Sequence, residues 1–226
     1  MRKQAVGKQV AALWILALLG TTAAAAELEV RVTDRNGQPV ADAVVSMVVR
    51  EAASGDPRKA PARGPASTRV IDQKALAFTP YVEVFRPGDE VVYRNSDRTR
   101  HHVYSFSPIK AFEFVLAPGT SSAPLKLERS GVIAVGCNIH DGMINYLYVS
   151  DAPWVAHTDT SGVARFQDLP AGEFDVRVWH PRLPPKRPDL VQSGLALRVD
   201  ERRSLGFSLS LLPDSRRQFD REHTRY

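Results

Sequence analysis

Hydrophobic and polar residues alternate in short segments along most of the chain, and turn residues separate these segments. In the first segment Leu28, Val30 and Val32 alternate with polar residues, and Asn36-Gly37 follows as a strong turn signal. No long stretch has helical periodicity, so the pattern predicts an all-β fold. Strands are predicted at Leu28–Thr33, Val44–Val49, Tyr81–Phe85, Glu90–Arg94, Val103–Phe106, Ser130–Val135, Ile144–Val149, Gly162–Phe166, Glu173–Trp179, Leu195–Val199 and Leu205–Leu211.

Two segments lack the alternating pattern. Residues 51–69 are rich in Ala, Pro, Gly, Arg and Ser, a composition that predicts a linker. Residues 213–226 are dense in Arg and Asp, and we expect them to form a loose charged tail. These two segments divide the chain into regions of predicted strands.

Residues 1–26 have the three parts of a secretory signal peptide. Arg2, Lys3 and Lys8 supply the positive charge, Val10–Leu19 is apolar, and small residues lead up to Ala26. The alternative is a membrane anchor, but the apolar stretch of 10 residues is short for a span, which needs about 20. We therefore expect cleavage after Ala26, export to the periplasm, and no membrane span in the mature chain.

Composition and charge narrow the function classes. Of the 226 residues, 43% are hydrophobic and 24% are charged, which is typical of a globular protein and excludes wholesale disorder. Three of the 30 basic residues lie in the first 26 positions, which hold no Asp or Glu. The remaining 27 basic residues face 25 acidic ones, so the balance gives no indication of a nucleic-acid-binding surface.

The chain has a single cysteine, Cys137, so an internal disulfide is impossible. A lone cysteine in an exported protein is a buried hydrophobe, an intermolecular partner, or a ligand protected by what it binds. The neighbours of Cys137 favour the ligand, because Cys137-Asn138-Ile139-His140-Asp141-Gly142-Met143 has the spacing C-x2-H-x2-M. Upstream lies the pair His101-His102.

A thiolate, two imidazoles and a thioether are the ligand set of a blue-copper electron-transfer site. Soft sulfur donors favour Cu(I), imidazole binds both oxidation states, and a weak axial Met lets one geometry serve both. A seven-residue loop that presents three ligands between two strands limits rearrangement on electron transfer. The Met ligand argues against zinc, which prefers Cys, His or carboxylate.

Residues 71–149 resemble the cupredoxins, the small blue copper proteins. The strand Gly131–Cys137 is similar to the family's G-x-[apolar]-x-[apolar]-x-C strand, and the short C-x2-H-x2-M loop is like that of amicyanin. The resemblance implies a Greek-key β-sandwich over residues 70–151 and one copper ion bound by four ligands: His101, Cys137, His140 and Met143. The chain has His102 where many cupredoxins have an Asn that ties the strand to the backbone beside the cysteine. Spacing favours His101 over His102 as the ligand, and only one of two adjacent strand residues can reach the site.

A second resemblance frames the first. Residues 29–45 are similar to the opening of a carboxypeptidase-regulatory-like domain, a transthyretin-like β-sandwich, and residues 158–178 are similar to its later strands. The resemblance implies that residues 27–50 and 153–212 form a smaller sandwich with a scaffold or docking role. We infer that the cupredoxin unit is inserted into a loop of this smaller sandwich. The alternative is a serial order, in which a short N-terminal strand pair, the cupredoxin unit and a separate C-terminal domain follow one another.

These observations predict a one-electron carrier that docks on a redox partner protein near His140. We expect Ile139, Gly142 and Pro108 to form an apolar patch there, with three basic residues around it: Arg98, Arg100 and Lys110. The alternative is copper storage, delivery or sensing, which the three methionines of the chain disfavour. Six histidines with one adjacent pair cannot supply a multicopper enzyme, so we expect no catalysis, and His157, His180 and His223 are assigned to structure or solvent.

Overall fold

The computed structural model describes residues 25–52, 64–185 and 189–216, which contain sixteen β-strands. The all-β fold predicted from the alternating pattern is confirmed. The strands are β1 (Ala26–Asp34), β2 (Val44–Ala52), β3 (Thr68–Lys74), β4 (Ala77–Thr79), β5 (Val82–Phe85), β6 (Glu90–Asn95), β7 (His101–Ser107), β8 (Lys110–Leu116), β9 (Leu125–Lys126), β10 (Gly131–Cys137), β11 (Ile144–Val149), β12 (Trp154–His157), β13 (Val163–Leu169), β14 (Gly172–Trp179), β15 (Leu190–Leu197) and β16 (Arg202–Leu209). Within these ranges no helix is long and apolar enough to cross a membrane.

Seven strands from the two ends of the chain form one β-sandwich, named here the flanking sandwich. Its sheets have the strand orders β13-β1-β16 and β12-β2-β14-β15. Strand β1 pairs antiparallel with β13 and parallel with β16, so the first and last of the sixteen strands share a sheet. The inward residues Leu28, Val30 and Val32 are buried with Met47 and Phe174 in one core, as expected for period-two alternation with one face covered.

The nine strands β3–β11 form a second β-sandwich, named here the central sandwich. Its sheets have the orders β5-β11-β10-β7-β8 and β4-β3-β6-β9. The inward residues of both sheets, among them Phe85, Tyr93, Ile133 and Leu147, are almost completely buried in a separate core. Strand β10 lies between β7 and β11, which places the end of β10 beside the start of β7.

The two sandwiches contact each other through aromatic side chains. The ring of Trp179 on β14 lies 6.0 Å from that of Tyr146 and 5.2 Å from that of Tyr148, both on β11. The guanidinium of Arg216 lies 3.4 Å from the centre of the Tyr81 ring. Arg216 belongs to the segment predicted to be a loose tail, so the start of that segment packs against the central sandwich instead.

The alternating pattern located eleven of the sixteen strands, but it missed β3, β4, β8, β9 and β12. Strand β8 carries Phe112 and Phe114, which pack on the central core around the exposed Glu113, and β12 begins with the buried Trp154. The predicted linker is shorter than expected, because β2 extends to Ala52 and β3 begins at Thr68.

Several predictions fall partly outside the described ranges. These are residues 1–24 of the signal peptide, 53–63 of the linker and 217–226 of the tail, which includes His223. The predicted cut after Ala26 falls just inside β1, of which Ala26 is the first residue. The inserted order of domains, the Greek-key topology and the carboxypeptidase-regulatory-like assignment stay predictions.

Candidate metal centre

Cys137 is the last residue of β10, and a tight loop follows it. The Cys137 amide donates a hydrogen bond to the Met143 carbonyl at 3.2 Å, which closes the loop on itself. The Asn138 amide donates to the His102 carbonyl at 2.9 Å, so a backbone bond ties the loop to β7. Gly142 supports the turn with a φ of 78°, a conformation that glycine adopts without strain.

Adjacent residues of β7 point to opposite faces, and this decides between the two neighbouring histidines. His101 is completely buried and faces Cys137. His102 faces outward, where its Nε2 lies 2.6 Å from Oε1 of Glu113. The geometry therefore brings His101, and not His102, to the cysteine.

Three donor atoms converge at the end of the central sandwich. The Cys137 Sγ lies 3.7 Å from Nδ1 of His101 and 3.8 Å from Nδ1 of His140, and the two nitrogens are 3.1 Å apart. The point equidistant from the three atoms lies about 2.1 Å from each, close to the lengths of about 2.0–2.1 Å for metal–imidazole and about 2.3 Å for metal–thiolate bonds at a divalent ion. The three side chains therefore fit a single metal ion.

Met143 completes the predicted ligand set. Its side chain is 3% exposed and belongs to the same buried core as Cys137. Because the Met143 carbonyl accepts the Cys137 amide, the two residues lie side by side at the base of the loop. A buried thioether next to a thiolate and two imidazoles gives the donor set of a type-1 copper site.

His101 is held from behind by a carboxylate that the sequence analysis missed. Its Nε2 lies 2.9 Å from Oδ2 of Asp97, four residues earlier. Asn95, which is also buried, shapes this segment: its side chain donates to the carbonyls of Thr99 and Leu116 and accepts from the Asp97 amide. The sequence signal for Asp97 was an acidic residue in the short segment between β6 and the first ligand.

His140 is the half-exposed member of the cluster. Its partial burial and the neighbouring His101 imidazole lower the pKa of His140 below its usual value. A neutral imidazole keeps the lone pair that a metal ion needs. The adjacent Ile139 is 46% exposed, so an apolar side chain does lie beside His140 at the surface.

Two of the residues predicted to surround His140 do not lie near it. Pro108 lies in the turn between β7 and β8, and Lys110 is the first residue of β8, so both are at the opposite end of β7 from His101. The seven residues of β7 span about 20 Å at roughly 3.3 Å per residue. Arg98 and Arg100 are exposed in the segment that leads into His101, at the metal end of the sandwich.

A buried polar pair fixes the strand that follows Met143. Asn145 and Tyr93 are both completely buried, and the Tyr93 hydroxyl donates to Oδ1 of Asn145 at 2.7 Å. The Asn145 amide also faces the carbonyls of Pro80 and Tyr81 at 3.4 and 3.5 Å. Asn145 thus joins β11 to β6 in the opposite sheet, a role that sequence reasoning did not give it.

We expect Asn145→Ala to destabilise the metal-free protein by about 1–3 kcal/mol, because the Tyr93 hydroxyl would be left buried without its acceptor. Urea unfolding measures the change. The same substitution in a Tyr93→Phe background should cost clearly less, since the hydroxyl is already absent. Equal costs in the two backgrounds would show that the pair does not stabilise the fold.

No family model and no curated protein matches this chain. Among solved structures, a copper-containing nitrite reductase from Thermus scotoductus SA-01 is 18% identical over 40% of this chain and 23% of its own, with a TM-score of 0.34. A reduced amicyanin variant is 17% identical over 46% of this chain and 99% of its own, with a TM-score of 0.34. A purple cupredoxin from Nitrosopumilus maritimus is 21% identical over 37% of this chain and 99% of its own, with a TM-score of 0.32.

Proposed function

We propose that this chain is a periplasmic one-electron carrier that binds one copper ion through His101, Cys137, His140 and Met143. The observation that carries the proposal is the convergence of the Cys137 thiol and two imidazole Nδ1 atoms around one point at metal-bond distance. Bound copper would supply the Cu(II)/Cu(I) couple, which this mixed sulfur and nitrogen donor set serves in both oxidation states.

The protein's own contribution is a rigid set of donors. His101 and Cys137 lie on paired strands of one sheet, and His140 and Met143 lie on a loop closed by a backbone hydrogen bond. Because these side chains are held before the metal arrives, a change of oxidation state requires little movement. Small rearrangement is what fast electron exchange needs.

The burial of the donors disfavours storage or delivery of copper. His101 is completely buried and Cys137 is 8% exposed, so an incoming chaperone reaches neither directly. Met47, the other methionine in the described ranges, lies in the core of the flanking sandwich and cannot relay the ion. Across those ranges, His101, Cys137 and His140 are the only group of three His, Cys or acidic side chains close enough to hold a metal.

The visible absorption spectrum of residues 27–226 with added Cu(II) tests this function. We expect an intense blue or green thiolate-to-copper band that ascorbate bleaches and that returns on reoxidation. A colourless protein in which Cys137 still titrates as a free thiol would refute the site. A coloured protein that cannot be reduced and reoxidised would refute electron transfer.

The half-exposed His140 and the neighbouring Ile139 offer the shortest route for electrons out of the site, and we assign the docking surface for a redox partner to this face. We expect Ile139→Asp to slow electron self-exchange between two copies by about tenfold or more, because two carboxylates would meet in the encounter complex. NMR line broadening in mixtures of oxidised and reduced protein measures this rate.

Val199→Asp is the matched control, because Val199 is a similarly exposed aliphatic residue that belongs to the flanking sandwich. It should leave the rate unchanged, and both variants should keep the spectrum of the parent protein. An equal effect of the two substitutions would move the docking surface away from Ile139.

The remaining parts of the chain receive roles that support the carrier. Residues 1–26 are proposed to direct export, on the basis of their charge and apolar pattern. The pairing of β1 and β2 with β12–β16 supports the proposal that the copper-binding unit is inserted into the flanking sandwich. The flanking sandwich then serves as a scaffold that packs against β11 of the five-stranded sheet through Trp179.

A further inference from the structure

The turn between β3 and β4 has an unfavourable backbone conformation. Ala75 and Leu76 connect the paired residues Lys74 and Ala77, and their φ angles are 53° and 55°. A two-residue hairpin of this kind normally has Asn-Gly or another Gly-containing pair, because other residues are strained at positive φ. Strain of this kind clusters at functional sites, where the surroundings hold it in place.

Both amides of this turn point at one carboxylate. The Ala75 amide donates to Oδ1 of Asp97 at 2.6 Å, and the Leu76 amide donates to Oδ2 at 3.1 Å. Oδ2 also lies 2.9 Å from Nε2 of His101. The Asp97 amide in turn donates to the buried side chain of Asn95, so the carboxylate is fixed from both sides.

We infer that Asp97 is a positioning residue that orients His101 for the metal ion and tunes its reduction potential, and that the strained turn at Ala75 and Leu76 holds Asp97 in place. This inference rests on the proposed function. His101 is completely buried, so its Nε2 needs a protein partner. With Nε2–H donated to Asp97, the Nδ1 that faces Cys137 keeps its lone pair free.

The negative charge of Asp97 has a second effect beyond orientation. A carboxylate behind a metal-bound imidazole raises the basicity of the ligand. A more basic imidazole stabilises the oxidised ion, which carries the higher charge, more than the reduced one. Asp97 therefore lowers the reduction potential of the site, and its loss should raise it.

The test compares Asp97→Asn and Asp97→Ala with the parent protein. We expect both variants to bind Cu(II) about 10–100-fold more weakly. If the affinity for Cu(I) is unchanged, each tenfold loss of affinity for Cu(II) raises the reduction potential by about 59 mV. In the metal-free protein, ¹⁵N NMR should show the Nε2–H tautomer of His101 in the parent and its loss in Asp97→Ala.

Asp72→Asn is the matched control. The Asp72 carboxylate lies on β3 near the same turn and accepts hydrogen bonds from Arg94 and Ser96, but it has no contact with His101. Asp72→Asn should therefore change the free energy of unfolding but leave the reduction potential and the His101 tautomer unchanged. An equal shift of the reduction potential in Asp72→Asn and Asp97→Asn would show that Asp97 acts only through its negative charge, as any nearby carboxylate would, and it would overturn the inference.

The outcomes separate the inference from the function on which it rests. If the parent protein is blue and the potential of Asp97→Asn equals that of the parent, the inference fails and the electron carrier stands. If the parent protein gives no thiolate-to-copper band, the proposed function fails, and the NMR tautomer still decides whether Asp97 orients His101. Should Asp97→Ala not fold, the near-isosteric Asp97→Asn decides the outcome by its potential.

Discussion

Cu(II) added to the Cys137→Ala variant is expected to give no intense visible band, whereas the parent protein becomes blue or green. The band requires a copper–thiolate bond, and the chain has a single cysteine, so no other thiol can replace it. The loss should be complete rather than partial, because the remaining imidazole and thioether donors have no comparable charge-transfer transition. Absorption spectra of both proteins at equal copper loading measure the difference.

Ser105→Ala is a suitable control for this substitution. Ser105 is 1% exposed and lies on β7, the strand that carries His101, and it faces inward like the ligands. Its replacement perturbs the same sheet without removing a donor, and the colour should persist. A strong band in Cys137→Ala would mean that copper binds elsewhere, and it would refute the proposed site.

The parts of the site that are close in sequence could be predicted from the sequence. Three of the four proposed ligands lie within seven residues, Cys137 to Met143, so their spacing alone brings them together. Strand alternation favoured His101 over His102, because only one side of a strand can face the cysteine, and the structure places His101 beside Cys137 and His102 beside Glu113. These inferences need no knowledge of how the sheets pack.

The contacts around the ligands could not be predicted, because they join distant segments. Asp97 receives the amides of Ala75 and Leu76 from a hairpin more than twenty residues earlier in the chain. Asn145 accepts a hydrogen bond from Tyr93 in the opposite sheet. Each of these depends on which strands become neighbours.

The same limit explains the errors in the fold and the surface. Hydrophobic alternation predicts where a strand lies but not which strand it pairs with. The parallel pairing of β1 with β16 therefore could not be predicted from it. Pro108 and Lys110 were placed beside His140 without knowledge of the direction of β7, which carries them to the far end of the sheet. Ile139 needs no such knowledge, because it is adjacent to His140 in sequence, and it is exposed there.

Lowering the pH from 7 to 4 is expected to cost the protein about 3 kcal/mol of stability through His180 alone. His180 follows β14 and is 4% exposed. Burial, reinforced by the positive charge of Arg182, lowers the pKa of His180 from 6.5 to about 4. The folded pKa lies below the unfolded one, so the unfolded state binds more protons throughout this window. Stability is therefore fully present above about pH 6.5 and is lost as the pH falls towards 4.

Urea unfolding of the metal-free protein at several pH values, compared with that of His180→Asn, isolates this contribution. Asn keeps an acceptor for the Arg182 amide, which now donates to Nδ1 of His180, but it does not titrate. The free energy of unfolding of the parent should fall by about 3 kcal/mol more than that of the variant between pH 7 and pH 4.

His157→Asn removes an exposed histidine and should behave like the parent. Burial raises the pKa of Asp42, which opposes the loss, but Asp42 is present in both the parent and His180→Asn and cancels from that comparison. Parallel pH profiles for the parent and His180→Asn would show that His180 is not held neutral by the fold.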